Sequence, residues 1–331
     1  MSMKKKAIGI VGILILGVCF LGTSYCLDKG GGCWELEDLD LSLEPGRYAL
    51  FHIERLASDF YEGRAPGSAG CGRAARYLAR QFQLLGLKPA GDQGTYFQRV
   101  KVPSFVLVKQ GERWKPKINS DGFVLSDNVL AFLGPGEFPS QKGVVIVSAH
   151  YDHLGVSGNA WFPGANDNAS GLAVLLETAC FFAGQPRMPN LQILFAAWTG
   201  EEEGLYGSRH FVATFPLKKI KAVINLDTLG NGEPAEFLVW SHDRDNQLIS
   251  LVEATGKRLD YQVKVQFLGT SSAYTSDDQP FSENGVPAVT LLSQTWLEHN
   301  HTIEDTPEMI NPGKLENATK LVINIVKQLA Y

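Results

Sequence analysis

Ala74, Tyr77, Leu78, Phe82 and Leu85 recur at the spacing of one helix face, and Gly86 follows as a stop. The spacing predicts a helix near residues 73–86. Gly143-Val-Val-Ile-Val-Ser148 is different: an unbroken apolar run of strand length. Leu191–Ala197, Lys221–Leu226 and Val286–Leu292 are runs of the same kind. Continuous runs, rather than alternating ones, mean strands buried on both faces. Between them Ser170–Phe182 and Gly204–Val212 read as helices. Asn311-Pro312 opens a last helix to about Leu329, with proline near the first helical position. Strands that alternate with helices predict an α/β fold. The expected architecture is three layers, α/β/α, around a central mixed, mostly parallel twisted sheet. The chain shows no internal repeat and no low-complexity tract.

The N-terminal end has another character. Three lysines within Met1–Lys6 precede an apolar run from Ala7 to about Leu21. A charged head before such a run predicts export. Gly22-x-Ser24 offers a small-x-small cleavage site. Extended to Leu27, the run approaches the ~20 residues that span a bilayer, so a membrane anchor through residues 7–25 is the alternative. Leu16-Gly-Val-Cys19 leaves a lipoprotein as a third option. Residues 1–24 are therefore read as signal peptide or anchor, 25–47 as a linker or arm, and 48–331 as the globular domain. The expected location is periplasmic or extracellular, with a possible membrane tether.

Composition narrows the classes. Of 331 residues, 44% are hydrophobic and 20% charged, enough for a large core and unlike a disordered chain. Lys and Arg number 30 against 35 Asp and Glu, a net charge of −5; without the three N-terminal lysines the rest is nearer −8. That balance argues against a nucleic-acid surface. Five cysteines are too few for a disulfide scaffold, and no Cys-x-x-Cys occurs, which excludes a cysteine zinc finger. After export Cys26, Cys33, Cys71 and Cys180 meet oxidising conditions, and Cys26 and Cys33 would close a small loop around Gly30–Gly32. Cys180 lies in an apolar helical pattern and reads as a buried thiol.

The chemistry sits just after the strands. The first ends in His150-Tyr-Asp152-His153. A glycine-rich loop, Gly164-Ala-Asn-Asp167-Asn-Ala-Ser-Gly171, leads into a helix. The next strand is followed by Gly200-Glu201-Glu202-Glu203-Gly204-Leu-Tyr-Gly207-Ser208, the next by Asn225-Leu-Asp227, and the last by His299-Asn-His301-Thr-Ile-Glu-Asp305-Thr306. In open α/β sheets ligands bind outside the carboxyl ends of the strands, so these remote residues are expected to meet. Clustered carboxylates repel and pay desolvation, and a divalent metal removes that cost. Imidazole mixed with carboxylate suits zinc better than magnesium or calcium. Each piece alone has an ordinary explanation: Asp167-Asn168 as a turn and helix cap, the Glu run as a solvated helix start, His150-x-Asp152 as a surface loop, Asp227 as the start of a turn. Together, in this order, they point to one centre.

These motifs resemble the co-catalytic zinc aminopeptidases of metallopeptidase family 28, of the aminopeptidase Y and bacterial leucyl aminopeptidase type. Leu56–Asp59, Glu62-Gly-Arg64 and the helix near 73–86 fit the family's N-terminal part, so the resemblance covers about residues 48–330. It implies a zinc-exopeptidase-like fold and two zinc ions per chain. His150 and Asp227 would hold one ion, Glu202 and His301 the other, and Asp167 would bridge them. Asp152 would hydrogen-bond the far nitrogen of His150 and fix its tautomer. Glu201 would be the general base towards the water between the metals. A cis peptide after Asp167 is also implied. The register Gly204-Leu-Tyr-Gly-Ser208 picks Glu201 as base and Glu202 as ligand, and His-x-x-x-Asp-Thr picks His301 over His299. His153 and His210 are expected at the rim or surface, and His52 and His242 carry no motif.

Some positions depart from the family pattern. Asn300 stands where some relatives carry a tyrosine that stabilises the oxyanion; Tyr274 is a candidate to reach the site instead. Asp278 replaces a histidine and reads as a pocket-rim residue or a solvated turn. The forty or so residues between Val102 and Gly143 are too few for a protease-associated insert. The implied function is an exported zinc aminopeptidase acting on peptides with a free N-terminus, with a broad or apolar side-chain preference. The alternatives are a carboxypeptidase or another amide hydrolase on the same scaffold, a one-zinc glutaminyl cyclase, or a binding ectodomain without catalysis.

Overall fold

A computed structural model describes residues 48–331 except 270, 271 and 273. The apolar N-terminal segment, the arm at 25–47 and the Cys26/Cys33 pair lie outside the described residues. In chain order the strands are β1 (Lys88–Pro89), β2 (Phe97–Gln110), β3 (Arg113–Leu133), β4 (Val144–His150), β5 (Val156–Ser157), β6 (Ala160–Trp161), β7 (Gln192–Trp198), β8 (Ile220–Leu226), β9 (Glu236–Ser241), β10 (Gln262–Phe267) and β11 (Ala288–Ser293). The helices are α1 (Ala49–Leu56), α2 (Ala69–Leu84), α3 (Gly171–Ala183), α4 (Tyr206–Thr214), α5 (Gln247–Arg258), α6 (Gln279–Ser282) and α7 (Pro312–Ala330).

The main sheet runs β1-β3-β7-β4-β8-β11-β9-β10, with β2 paired to β3. β7, β4, β8 and β11 are parallel neighbours, and β10 is parallel to β9. The β3–β7 and β11–β9 pairs are antiparallel, which makes the sheet mixed. Its central strands explain the unbroken apolar runs. Val145, Val147, Ile193 and Phe195 face one helical layer, and Val144, Ile146, Leu194 and Trp198 face the other. Every residue of β4 and β7 is buried. The first layer contains α1, α2, α3, α5 and α7; on the other face α4 and α6 contribute Phe211 and Phe281.

Local signals set the element ends. The Ser68 side chain accepts from the Cys71 amide and starts α2 ahead of its apolar stripe. Asn311 caps α7 by accepting from Gly313 N and Lys314 N, directly before Pro312. The Glu201–Glu203 run belongs to a turn, and the helix after it begins only at Tyr206.

The β2–β3 hairpin is long. Only Val129–Leu133 of β3 pair with β7, so the part with its tip at Gln110–Arg113 extends beyond the sheet. Cys71 and Cys180 are both free thiols. Cys180 is half-buried rather than enclosed, because it lies on the rim of α3 where the core face gives way to solvent. No described helix is long and apolar enough to cross a membrane.

Candidate metal centre

The carboxyl ends of β4, β7 and β8 open on one edge of the sheet and bring the strand-end motifs together. His150, the last residue of β4, points Nε2 at Asp167 Oδ1 (3.3 Å) and Asp227 Oδ1 (3.6 Å). His301 points Nε2 at the other oxygen of Asp167 (3.3 Å) and at Glu202 Oε2 (2.8 Å). Asp167 thus stands between a His150–Asp227 pair and a His301–Glu202 pair. One ligand atom each from His150, Glu201 and Glu202 also falls within a 4.8 Å span.

The loop that carries Asp167 is held from several directions. The Asp305 carboxylate accepts from Asn166 N (2.7 Å) and Asp167 N (2.9 Å). Asn168 donates to Leu226 O (2.9 Å) and accepts from Thr228 N (3.2 Å), which ties the loop to both sides of Asp227. The Asp167–Asn168 peptide is cis, as the family pattern implies. Asn168 also accepts from Gly171 N, but the helix that follows starts at Gly171 itself, so the simple turn-and-cap reading of Asp167 does not hold. Gly164 turns with φ +60°, and a Cβ there would lie 2.3 Å from Asp167 O and 2.5 Å from the His153 ring. Only glycine fits that approach.

Arg64 builds the floor beneath this loop. Fully buried, it donates to the carbonyls of Leu56, Tyr151, Pro163 and Gly164 at 2.7–2.8 Å. The residues after β4 therefore turn inward instead of forming a surface loop. This overturns one expectation. His153 is completely buried, and its Nδ1 donates to Glu202 Oε1 at 2.8 Å.

The other predicted residues are placed as follows. His150 Nδ1 meets the main-chain carbonyl of Asp152 at 3.3 Å, while the Asp152 carboxylate lies 3.9 Å away and accepts from Glu202 N. Glu203 is buried, with both carboxylate oxygens unpartnered. His299 is exposed, His210 half-buried, and His52 sits in α1 against the Tyr77 hydroxyl. Tyr274 lines the cleft, stacked on Trp240 and edge-on to Trp296. Asn300 is itself in the site, donating to Asp167 Oδ2 at 2.7 Å.

Asp278 is neither at a rim nor in a solvated turn. It is fully buried and accepts from Thr290 Oγ1. Its neighbour Asp277 accepts from Ser208 Oγ at 2.5 Å. Burial pushes both carboxyls up to about 7. Ser276, just before them, donates to Asp227 Oδ2 at 2.7 Å and accepts from Asn225, so this segment braces Asp227. Asp305, Asn300 and Ser276 were not singled out as supports in the sequence. Asp305-Thr306 was visible only as a motif end, and nothing local marks Ser276.

The electrostatics call for a cation. Asp152, Asp167, Glu201, Glu202 and Asp227 bring five carboxyl groups against three imidazoles. Two carboxylates about 4 Å apart repel by ~4 kcal/mol at an effective dielectric constant of about 20. Burial opposes charge on His150, but Glu201, Asp167 and Asp227 outweigh it and raise its pKa well above the usual imidazole value. Burial likewise opposes charge on His301, and Glu202 and Asp167 reverse the balance. Burial would raise Glu202, yet His301 and His153 hold it down to about 2. Glu201 shifts the other way. Burial, together with Glu202, Asp277 and Asp227, raises it well above the carboxylate range. The same surroundings that favour a positive charge on His150 and His301 favour a divalent cation. Converging oxygens, imidazole nitrogens and excess negative charge fit a bound metal. The centre opens into a cleft of about 500 Å³.

The profile described as Peptidase family M28 matches residues 128–326, which include all the candidate ligands. The chain belongs to peptidase family M28. Aminopeptidase YwaD of Bacillus subtilis is 29% identical over 208 residues, covering 60% of this M28 chain and 43% of that protein. The chain spans about half the length of the curated relatives it matches. In three dimensions it resembles BSAP, a zinc aminopeptidase from Bacillus subtilis, with a TM-score of 0.71 at 20% identity over 88% of this chain and 97% of the other. A glutaminyl cyclase from Porphyromonas gingivalis shares the fold, with a TM-score of 0.66 at 21% identity over 88% of this chain and all of that one.

Proposed function

We propose that this M28 chain is an exported aminopeptidase that binds two zinc ions and removes N-terminal residues from peptides. The observation that carries the reading is the symmetry about Asp167, with His150 and Asp227 on one side and Glu202 and His301 on the other. Those five residues would hold the metals, with Asp167 between them. Bound zinc lowers the pKa of water and polarises the scissile carbonyl.

The chain's own groups supply the rest. Glu201 is the general base: it lines the cleft beside His150 and Glu202, where its carboxylate would take a proton from the attacking water and pass it to the leaving amine. His153 and the Asp152 carboxylate orient Glu202, through its side chain and its amide. Asn300 and Asp305 hold Asp167 at its carboxylate and its amide. The free amine of the substrate is drawn to the carboxylates. Trp240, Tyr274 and Trp296 line the same cleft and favour an apolar first side chain. The charged head and apolar run of residues 1–21 support export.

The test counts metal in the purified full chain and assays aminoacyl anilides beside their N-acetylated forms, with and without chelator. Two zinc ions and chelator-sensitive cleavage of the free-amine substrates alone are expected. One zinc with cyclisation of N-terminal glutamine would instead support the glutaminyl cyclase reading, and indifference to the blocked amine another amide hydrolase.

A further inference from the structure

We propose that the tip of the β2–β3 hairpin forms a carboxylate-binding subsite in the cleft, in which Arg113 and Lys115 receive a carboxylate of the substrate. The inference rests on the aminopeptidase reading and names a substrate class for it: short peptides with a negative group beyond the scissile bond or on a side chain.

The tip is built into the site. Trp114 N donates to His301 O at 3.0 Å, and His301 Nδ1 donates back to Trp114 O at 3.0 Å. Arg113 Nη2 donates to Leu297 O at 2.7 Å. These bonds fix the tip against the segment that presents His301. Side chains alternate along a strand, so Arg113 and Lys115 share one face and Trp114 takes the other. The Trp114 ring packs edge-on against Phe162, 5.7 Å between centroids, while Arg113 and Lys115 line the cleft with His301 and Asp167.

Among the described residues neither cation has an acidic partner. Among the described residues no carboxylate lies within 4.0 Å of Arg113 or Lys115, although Arg73, Arg99, Arg209 and Lys320 all make such pairs. Arg113 spends one donor on Leu297 O, and a guanidinium has five. The remaining donors suit a carboxylate, and Lys115 adds a second charge. The cleft thus carries acids that attract a substrate amine and cations that attract a substrate carboxylate. A peptide that is zwitterionic over a short length satisfies both.

The carboxylate has two possible sources, the C-terminus of a dipeptide or an acidic side chain. The experiment compares kcat/KM of the zinc-loaded full chain for Leu-Ala, Leu-Ala-amide, Leu-Asp-amide and the glutamyl and leucyl anilides. It repeats the set with Lys115→Gln, Arg113→Gln and the double variant. Ratios are taken within each protein, so a general loss of activity cancels. In parallel, cleft tryptophan fluorescence follows binding of a reduced Leu-Ala, with CH2–NH in place of the scissile amide, as acid and as amide. We expect about a tenfold preference for one carboxylate form, equivalent to ~1.4 kcal/mol. It should fall about threefold in each single variant and to near one in the double variant. A preference for Leu-Ala over its amide identifies the chain terminus; a preference for Leu-Asp-amide or glutamyl anilide identifies a side chain. Ratios near one in the unaltered protein, in both rate and fluorescence, overturn the subsite. Ratios unmoved by the double variant overturn the assignment to Arg113 and Lys115. If no free-amine peptide is cleaved but the acid form still binds more tightly, the subsite stands and the aminopeptidase reading falls.

Discussion

His153 Nδ1 stands 2.8 Å from Glu202 Oε1, and His301 Nε2 stands 2.8 Å from the other oxygen of the same carboxylate. Glu202 is therefore held at both oxygens, and its orientation is set before any ligand binds. Replacing His153 with Phe keeps ring volume but removes one of these bonds. Metal affinity should fall about 10–100-fold, the usual cost of losing a group that orients a ligand. His153→Gln should recover part of it. Competition with a chromogenic chelator measures both; unchanged affinity would show that Glu202 needs no such support.

Glu201→Gln removes the proposed base and preserves shape. Turnover should drop by roughly 10²–10⁴, with metal content unchanged by atomic emission. Full activity in this variant would remove Glu201 from the mechanism.

His301→Ala should halve the metal content, because only Glu202 and the shared Asp167 remain on that side. Retention of both ions would transfer the ligand role to His153, which faces the same carboxylate.

Arg64→Met should destabilise the fold by at least ~3 kcal/mol, since buried acceptors left unpaired cost about 1–3 kcal/mol each. Four carbonyls lose the Arg64 donor, and Gly164 O keeps a second one from Ala169 N. Urea unfolding would show it, together with loosened binding of metal at the loop above. A change below ~1 kcal/mol would mean the carbonyls find other partners.

A pH-dependent term comes from His52. Burial first, and then the charge of Arg55, lower its pKa from 6.5 to about 4. Below pH ~6.5 the unfolded chain binds a proton that the folded chain refuses until pH is near 4. Stability therefore falls as pH drops through that window, by about 1.4 kcal/mol per unit at most. His52→Phe should flatten the dependence between pH 6.5 and 4.5. An identical slope in the variant would place the acid sensitivity elsewhere.

The predicted helices and central strands matched the structure to within a few residues, because continuous apolar runs in a parallel sheet have few alternatives. The ligand candidates were legible for a related reason: each follows a strand end, and parallel strands deliver their ends to one edge. His153 was not legible. Whether the residues after β4 point inward depends on Arg64, which reaches them from far upstream in the chain. Asp278 misled because a polar segment between strands usually faces water, whereas here Thr290 and the segment's other neighbours enclose it. The β2–β3 hairpin escaped notice because polar and charged residues break up its two apolar runs, Phe105–Val108 and Val129–Leu133, and much of its outer part is exposed. β9 and β10 were missed as well, β10 for its alternating exposed and half-buried pattern.

The strand order has a consequence for synthesis. Among the described strands β11 is made after the others, yet it lies between β8 and β9. Until residues 288–293 leave the ribosome, β8 has an unpaired edge beside Asp227, and β9 and β10 have no sheet to join. His301 follows β11 by only a few residues. The nascent chain thus carries most of the acidic cluster before the strand and the histidine that complete it. An exposed strand edge at that stage invites pairing with other chains. Completion of the sheet and completion of the candidate metal centre both fall within residues 288–301.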